Sequence, residues 1–461
     1  MPDPIARLID DRPGDGVFRV HRDAFRDPDV FALEMARLFE GGWVFVAHAS
    51  QLPAPHDYLT TTIGRQPVVV MRDARGSLGA FLNSCRHKGA VVCHHARGNR
   101  KLQVCRYHGW SYDSAGRNAM IKARAEGAYA PAFDADSHDL LPVARFAQYR
   151  GFLFASLSPD VPSLEAHLGD ARVFIDLVVD QSEHGIELVP GDVRYTYRGN
   201  WKLQLENSID AYHFTSTHPS YLGLLDRRAQ AKERDDVPAA VWQSAGGRQV
   251  DDAMGSFGFA QGHAMVWTTS PVERHPLFPR LRELQARVGP VRADWMLRTR
   301  QLDVFPNLQI ASNAALQMRV IRPLAPDLTE VSSYCLAPVG EDAPARRQRL
   351  RQYEDFFNPS GLATPDDTVS YEDCQRGFEA GRIEWLQGAA RGMTRVGPGA
   401  DAHARELGIE PAQSTHGAFA MADETVFHAL YRAWRRRLSA DMGDGVAAPT
   451  TPTTPTTPTT P

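Results

Sequence analysis

The spacing of hydrophobic positions changes along the chain, and this change separates the first two predicted regions. At residues 31–39 the apolar positions recur every three or four residues, which predicts a short amphipathic helix. Farther on, the apolar positions form short runs typical of β-strands, such as 67–70 and 151–154, which are separated by turn signals containing Asp and Gly. We therefore predict an N-terminal segment, 1–42, that packs on a later domain, followed by a small β domain over 43–158.

Beyond this β region the pattern mixes helical and strand periods, which predicts an α+β domain over 159–445. Helical spacing covers 164–180, 201–216, 365–387 and 427–438, and strand alternation covers 193–197 and 317–323. From residue 449 the chain repeats Thr-Thr-Pro, and we predict that 446–461 form a disordered tail.

Length, charge and cysteine usage narrow the class of protein. With 461 residues the chain is too long for one typical core, so two or more domains are expected. A net charge of −4 gives no basic field, which argues against nucleic acid as a partner. The sequence has neither an apolar run of about 18 residues nor an apolar leader, so we expect no membrane span and no secretory signal. Five cysteines, an odd number, fit a reduced compartment, and we expect the protein in the cytoplasm.

Two short Cys/His pairs lie inside the predicted β domain, as Cys85-Arg-His87 and Cys105-Arg-Tyr-His108. Two mixed pairs are typical of a Rieske [2Fe–2S] centre, in which two His replace two Cys on one iron. Cys85 and Cys105 would then hold one iron, and His87 and His108 the other. A structural zinc site stays open as the alternative, although zinc sites more often pair like residues.

A second group of candidate site residues lies in the later domain, with Asn207 and Asp210 as candidate catalytic residues and His213 and His218 as candidate metal ligands. Asn207, Asp210 and His213 are spaced by three, which predicts that they share one helix face. His213 and His218 are five apart, so both can bind one metal only if the helix ends or distorts between them. Two His and one carboxylate form the ligand set of non-haem Fe(II) oxygenases. The candidate carboxylate is Asp367 in a Thr-Pro-Asp-Asp run, although this run is also typical of a helix start with Thr as the N-cap.

On these motifs the chain resembles the large (alpha) subunits of Rieske non-haem iron aromatic-ring-hydroxylating dioxygenases. The family pattern C-x-H…C-x-x-H corresponds to 85–108, and D-x-Y-H-x4-H corresponds to 210–218. Within the family the sequence is most similar to the benzoate, toluate and anthranilate 1,2-dioxygenase group, over segments such as 149–154 and 351–358. It departs from that group by bulk at Ile209 and by extra positive charge beside the Cys/His pairs.

The resemblance implies roles for individual residues and for partners. It makes Asp367 the third iron ligand, and it gives Asp210 the role of linking the cluster of one subunit to the iron of the next. It also implies a β-rich Rieske domain joined to a helix-grip catalytic domain with an antiparallel sheet. The implied assembly is a trimer, α3 or α3β3 with a small β subunit, and a flavin or iron–sulfur reductase or a ferredoxin supplies electrons from NAD(P)H.

We therefore expect a terminal oxygenase that dihydroxylates an aromatic carboxylate such as benzoate or anthranilate with O2. An anionic substrate needs a cation or hydrogen-bond donors in its pocket, and Arg319 and Arg322 are candidates, although exposed strand arginines are the more usual interpretation. An aromatic monooxygenase or demethylase on a related acid stays open. So does an electron carrier or zinc-stabilised binding protein without oxygenase activity.

Overall fold

The computed structural model describes residues 5–230, 254–269, 273, 275–313, 315–417 and 422–439. The predicted tail, 446–461, lies outside the described residues. Within the described ranges, no helix is both long and apolar enough to cross a membrane.

The N-terminal segment forms a small hairpin and two short helices. Its elements are β1 (Ile9–Arg12), β2 (Val17–His21), α1 (Asp23–Arg26) and α2 (Pro28–Glu34), followed by a π-helical turn at Met35–Glu40. Asp27 caps α2 by accepting hydrogen bonds from two backbone N–H groups of the first turn, and a proline follows it directly, as is favoured at a helix start. The helix predicted at 31–39 is therefore present, but its second half has π geometry.

The next region contains three small antiparallel sheets. The strands are β3 (Val44–His48), β4 (Asp57–Ile63), β5 (Gln66–Arg72), β6 (Leu78–Leu82), β7 (Arg97–Asn99), β8 (Leu102–Val104), β9 (Ser111–Asp113), β10 (Asn118–Met120), β11 (Arg145–Tyr149) and β12 (Phe152–Ser156). They pair in the orders β6-β5-β4-β7, β10-β9-β8 and β11-β12-β3, and a short helix α3 (Pro131–Ala135) precedes β11. The Cys/His pairs occupy the loops β6–β7 and β8–β9.

The later region combines one large sheet with helices. Its helices are α4 (Leu164–Leu168), α5 (Arg172–Val179), α6 (Trp201–Ser208), α7 (Phe214–Thr217), α8 (Pro219–Gln230), α9 (Leu281–Val288), α10 (Pro290–Leu297), α11 (Ala343–Gln352), α12 (Thr364–Gly377), α13 (Ala402–Leu407) and α14 (Phe427–Ser439). Its strands are β13 (Ile186–Leu188), β14 (Val193–Tyr197), β15 (Met254–Gly258), β16 (Ala264–Thr268), β17 (Thr299–Val304), β18 (Leu308–Ser312), β19 (Leu316–Ala325), β20 (Leu328–Pro338), β21 (Trp385–Leu386), β22 (Gly397–Pro398) and β23 (Gln413–His416).

Ten of these strands form one antiparallel sheet in the order β13-β20-β19-β18-β17-β16-β15-β23-β22, with β14 also paired to β20. Helices α6 and α14 contact this sheet, which is the helix-grip arrangement. The remaining strand, β21, pairs with β2 and so joins the N-terminal hairpin to the chain beyond α12.

Strand alternation gives the sheet two different faces. Arg319 on β19 lies opposite Gln309 on β18, so the two share a face, and Gln309 donates a hydrogen bond to the carbonyl of Gln204 in α6. The neighbouring pair Met318 and Ile310 points to the other side, into an apolar core. The sheet face that packs on α6 therefore carries polar side chains, which is unusual for a buried sheet.

Two predicted helices are interrupted in the structure. The prediction of one helix over 201–216 is wrong, because α6 ends at Ser208 and the chain turns before α7. The carboxylate of Asp210 accepts hydrogen bonds from the backbone N–H groups of Tyr212 and His213, which replaces the helical pattern by a local turn. The shared helix face predicted for Asn207, Asp210 and His213 therefore does not exist.

The other corrections have similar local causes. The helix predicted over 365–387 ends at Gly377, and the chain then extends to form β21. The helix predicted over 164–180 is divided at Gly169, whose φ of 49° lies outside the range of a right-handed helix. The strands predicted at 193–197 and 317–323 and the helix predicted at 427–438 are confirmed by β14, β19 and α14.

Candidate functional site

The two Cys/His pairs lie on a pair of loops with the same backbone geometry. In the first loop the N–H of Gly89 donates to the carbonyl of Cys85 at 2.8 Å, and in the second Gly109 donates to Cys105 at 3.0 Å. Both glycines have positive φ, 73° and 77°, which the tight turn requires and which other residues rarely adopt. Two turns of equal length, 85–89 and 105–109, therefore each begin with a cysteine and contain a histidine.

The side chains of these loops suit an iron–sulfur cluster. Cys85 and Cys105 are buried and form no disulfide, while the rings of His87 and His108 lie edge to face with centroids 4.3 Å apart. Nδ1 of His87 is buried and has no hydrogen-bond partner among the described residues, so it is free to bind a metal. Two thiols inside and two adjacent imidazoles nearer the surface match the donor set of a Rieske centre.

Tyr112 and Trp110 contact the side chains of the first Cys/His pair. The Tyr112 hydroxyl accepts a hydrogen bond from the N–H of Arg86 at 3.0 Å, so its own proton is available for Sγ of Cys85 at 3.2 Å. The indole of Trp110 stacks on the His87 ring with centroids 5.1 Å apart. A hydrogen bond to a ligand sulfur is one of the means by which a protein sets a cluster's potential.

The second constellation brings together residues from two separate elements. Nε2 of His218 lies 3.1 Å from Oδ1 of Asp367, and Nε2 of His213 lies 3.4 Å from the same oxygen. These three side chains are a group able to hold one metal ion, because each offers a ligand atom within 4.8 Å of the others. The amide of Asn207 stands beside them, 3.1 Å from His213 and 3.2 Å from Asp367.

Two further carboxylates hold the other side of the imidazole rings. Nδ1 of His213 lies 3.1 Å from Asp210, and Nδ1 of His218 lies 3.5 Å from Asp366. An imidazole that gives its Nδ1 proton to a carboxylate keeps its Nε2 lone pair for a metal, and its ring is fixed in orientation. Sequence reasoning assigned no role to Asp366, because nothing in the local pattern reveals that the two adjacent aspartates contact different atoms.

The electrostatics of the site follow from this packing. Burial alone would raise the pKa of Asp367, but the two histidines hold it well below its usual range, so the carboxylate is ionised. Burial likewise opposes a charged His213, yet Asp210 and Asp367 raise its pKa to about 10. The same two carboxylates that favour a protonated His213 would also favour a bound cation between the three side chains.

The N-terminal end of α12 is built differently from the prediction. Ala363 is the N-cap residue and makes no side-chain capping bond, so the expected role of Thr364 as N-cap is wrong. The Thr364 hydroxyl donates instead to the carbonyl of Phe357 at 2.9 Å. Asp367 is only 5% exposed and contacts the histidines, so its position at a helix start does not explain its burial.

A cavity of about 80 Å³ opens beside the three converging side chains. Most of its wall is apolar or aromatic, contributed by Ile209, Phe214, Val266, Trp267, Phe356 and Phe357. Its polar lining includes Ser208, Thr268, Thr299, Gln301 and Arg319. A largely apolar pocket with a few polar groups next to a candidate metal site is the usual form of a small-molecule active site.

Two family models match the regions that carry these two groups of residues. A family model described as the Rieske [2Fe-2S] domain matches residues 42–140, and one described as the ring hydroxylating alpha subunit (catalytic domain) matches 187–440. The chain is 41% identical over 439 residues to the toluate 1,2-dioxygenase subunit alpha of Pseudomonas putida, covering 95% of this chain and 94% of that protein. The chain belongs to the ring-hydroxylating dioxygenase alpha subunits.

Other members of the family are similar over most of their length. This alpha subunit is 42% identical over 410 residues to the anthranilate 1,2-dioxygenase large subunit of Acinetobacter baylyi, covering 87% of this chain and 86% of that one. Its fold matches a naphthalene 1,2-dioxygenase with indole bound in the active site, with a TM-score of 0.78, 25% identity and 92% of each chain covered. The alpha subunit is thus an oxidoreductase that carries a Rieske cluster and a non-haem iron, and it receives electrons through a reductase or ferredoxin.

Proposed function

We propose that this alpha subunit dihydroxylates an aromatic carboxylate, with the cluster and the iron held by the residues that the two constellations bring together. The cluster ligands are Cys85, His87, Cys105 and His108, and the iron ligands are His213, His218 and Asp367. The observation that carries this assignment is the convergence of two Nε2 atoms on one buried carboxylate oxygen at the edge of an apolar cavity. The substrate class rests on the relatives, whose names include toluate, 2-halobenzoate and anthranilate dioxygenases.

The proposed dihydroxylation consumes one O2 and one NAD(P)H per turnover. When bound, the cluster supplies electrons one at a time and the iron supplies an oxygen-activating centre. The ring gains two hydroxyl groups from O2, two electrons come from NAD(P)H, and two protons complete the cis-diol. Anthranilate would go on to catechol by losing ammonia and carbon dioxide.

The protein's own side chains have three tasks in this reaction. Asp210 and Asp366 hold the Nδ1 side of the two imidazoles, so that both rings keep one orientation. The aromatic wall, which includes Phe356 and Phe357, holds the ring of the substrate and excludes water. Asn207 lies within hydrogen-bond distance of a ligand on each side and so fixes the spacing between helix α6 and helix α12.

We also infer that Asp210 links the iron to the cluster of a neighbouring subunit, in an α3 or α3β3 assembly with a small β subunit. Asp210 and His213 keep 17% and 21% of their side chains exposed, and the neighbouring Tyr212 is 48% exposed, which supports access by another chain. We expect the assembly in the cytoplasm, where a reductase has access to NAD(P)H and thiol ligands stay reduced.

The test is product analysis with isotopic oxygen. The purified protein, reconstituted with iron and sulfide, should contain about three iron and two sulfide per chain and show a Rieske spectrum. With a reductase, NADH and ¹⁸O2, it is presented with benzoate, toluate, 2-halobenzoate and anthranilate. We expect a diol acid, or catechol from anthranilate, with both hydroxyl oxygens labelled. One labelled oxygen would instead identify a monooxygenase, and zinc in place of iron would contradict the whole assignment.

A further inference from the structure

The sheet face that covers α6 carries a buried arginine beside the candidate iron site. Arg319 is 7% exposed and lines the same cavity as His213, His218 and Asp367. Within the described ranges it is the one Lys or Arg that lines this cavity. A guanidinium in such a place is costly unless an anion or several hydrogen bonds compensate it.

The protein provides little compensation for this charge. No acid of the described residues lies within ion-pair distance of Arg319, and its Nε is buried without a hydrogen-bond partner. One terminal nitrogen reaches the Thr364 hydroxyl at 3.4 Å, which is a long contact, and the guanidinium carbon lies 5.9 Å from the Phe357 ring centre. The guanidinium thus keeps donors free on the side of the cavity.

An acid on the same sheet face, Asp303, makes no hydrogen bond with Arg319 among the described residues. Asp303 lies on the same sheet face, two strands away, and accepts a hydrogen bond from Gln309 at 3.0 Å. Burial raises the pKa of Asp303 well above its usual range, so this carboxyl is a poor counter-ion for the guanidinium. Arg319 therefore has no carboxylate in direct contact in the part of the chain that the structure describes.

The second arginine of β19 has a different environment. Arg322 follows three residues later, so strand alternation turns it to the opposite face. There it forms an ion pair with Glu330 at 3.3 Å, and its side chain is 42% exposed. It lines another depression, between β19 and the strand β4, and not the cavity of the iron site.

We propose that Arg319 is the specificity-determining residue that binds the carboxylate of the aromatic substrate. A guanidinium offers two parallel N–H donors that match the two oxygens of a carboxylate, and the aromatic walls of the cavity accept the ring. The unpaired Nε and the lack of an acidic partner among the described residues are explained if the substrate supplies the anion. This inference rests on the proposed function, because it presupposes an aromatic acid as substrate.

The direct test compares an acid with its neutral isostere in the reconstituted enzyme. The dissociation constants of benzoate and benzamide are measured by calorimetry for the wild type, for Arg319→Gln and for Arg322→Gln as the matched control on the same strand. We expect Arg319→Gln to weaken benzoate binding by about 100-fold or more, because a buried charge-assisted pair is lost. Benzamide binding should change by less than about threefold, since neither side chain pairs with a neutral amide as an ion. Arg322→Gln should change neither.

Turnover gives a second readout in the same proteins. A chemically reduced sample is mixed with O2 and either compound, and the product of a single turnover is quantified. Arg319→Gln should lose product from benzoate at low concentration and recover it at high concentration, whereas Arg319→Lys should be intermediate, because an ammonium keeps the charge without the planar fork. An unchanged Rieske spectrum shows that the variant is folded and loaded.

Several outcomes would overturn the inference. Equal losses of benzoate and benzamide affinity in Arg319→Gln would mean that the arginine supports the fold and does not read the carboxylate. If the variant does not fold, the comparison of the two ligands in the wild type still tests the inference. Benzoate must then bind at least about tenfold more tightly than benzamide, and equal affinities would contradict a carboxylate-binding arginine. A wild type that oxidises neutral arenes but no aromatic acid would refute the proposed function itself, whereas benzoate turnover with normal affinity in Arg319→Gln would refute this inference alone.

Discussion

The buried carboxylate of Glu34 joins the N-terminal segment to the catalytic region, and its loss should be severe. Glu34 is fully buried on α2 and receives Nζ of Lys202 at 2.5 Å. It also accepts hydrogen bonds from the indole N–H groups of Trp201 at 2.8 Å and of Trp434 at 2.7 Å. One carboxylate therefore serves two donors from α6 and one from α14.

We expect Glu34→Gln to destabilise the protein by about 3 to 5 kcal/mol. The amide has the volume of the acid but no charge, so Lys202 is left as a buried cation without a counter-ion, and burial already lowers the pKa of that lysine. One indole also loses part of its acceptor, at about 1 kcal/mol more. Because a protein is stable by only about 5 to 15 kcal/mol, this change should be visible as a large shift of the unfolding midpoint.

Urea unfolding of the wild type and three variants measures the effect. Asp294→Asn removes a carboxylate that is 57% exposed and leaves Arg298 with Glu406 at 3.5 Å, so it should cost less than about 1 kcal/mol. The double variant Glu34→Gln with Lys202→Met removes both buried charges and should recover at least half of the loss. The reasoning is refuted if Glu34→Gln costs no more than Asp294→Asn, or if the double variant is less stable than Glu34→Gln.

Three further outcomes follow from the contacts of the two metal sites and their surroundings. Asp210→Asn and Asp366→Asn should each weaken Fe(II) binding by about 10- to 100-fold in a metal titration. The effect should be larger for Asp210, whose contact is shorter and whose carboxylate is less exposed, and wild-type affinity in both variants would contradict the orienting role. Burial raises the pKa of Glu206 to about 7, so the folded protein keeps a proton that the unfolded chain releases near 4.5, and stability is lost as the pH rises between these values. The variant Glu206→Gln carries no titrating acid, so its free energy of unfolding should not fall over this pH range. The difference in unfolding free energy between the variant and the wild type should grow by roughly 2 kcal/mol from pH 5 to pH 8, after allowance for partial exposure. A difference that stays constant with pH would contradict this prediction. Tyr112→Phe removes the hydroxyl at 3.2 Å from Sγ of Cys85 and should lower the cluster potential by roughly 40 to 60 mV in a redox titration, whereas an unchanged potential would show that this contact donates no hydrogen bond to the sulfur.

Local patterns in the sequence were enough to find the candidate ligands and the broad architecture. The mixed Cys/His pairs are close in the chain, so their spacing reports directly on two turns that the structure shows to be alike. Strand alternation identified β14 and β19, because a strand with one buried face repeats every two residues whatever lies around it. The carboxylate candidate, in contrast, needed the family resemblance, since its local sequence is equally typical of a helix start.

The sequence failed where a side chain competed with the backbone for hydrogen bonds. Asp210 has the spacing of a helix-face residue, but its carboxylate takes the N–H groups of Tyr212 and His213, and α6 ends before it. A three-residue period cannot distinguish a continuous helix from a helix that ends before Asp210, because the outcome depends on which groups the Asp210 carboxylate contacts. The ring of His213 holds it at the site itself.

The amino-acid sequence by itself determined the donor types, their pairing along the chain and the hydrophobic periods of most elements, because these depend on residues that are neighbours in the chain. Only the tertiary structure decided that Asn207 meets Asp367 from 160 residues away, and that the two adjacent aspartates serve different atoms. The tertiary structure also gives Arg319 and Arg322 different environments, because Arg319 lines the cavity of the iron site and Arg322 forms an ion pair with Glu330. The physical reason is that the burial of a charged side chain and its contact with an opposite charge depend on how the sheet and helices pack, and a local sequence pattern does not contain this information.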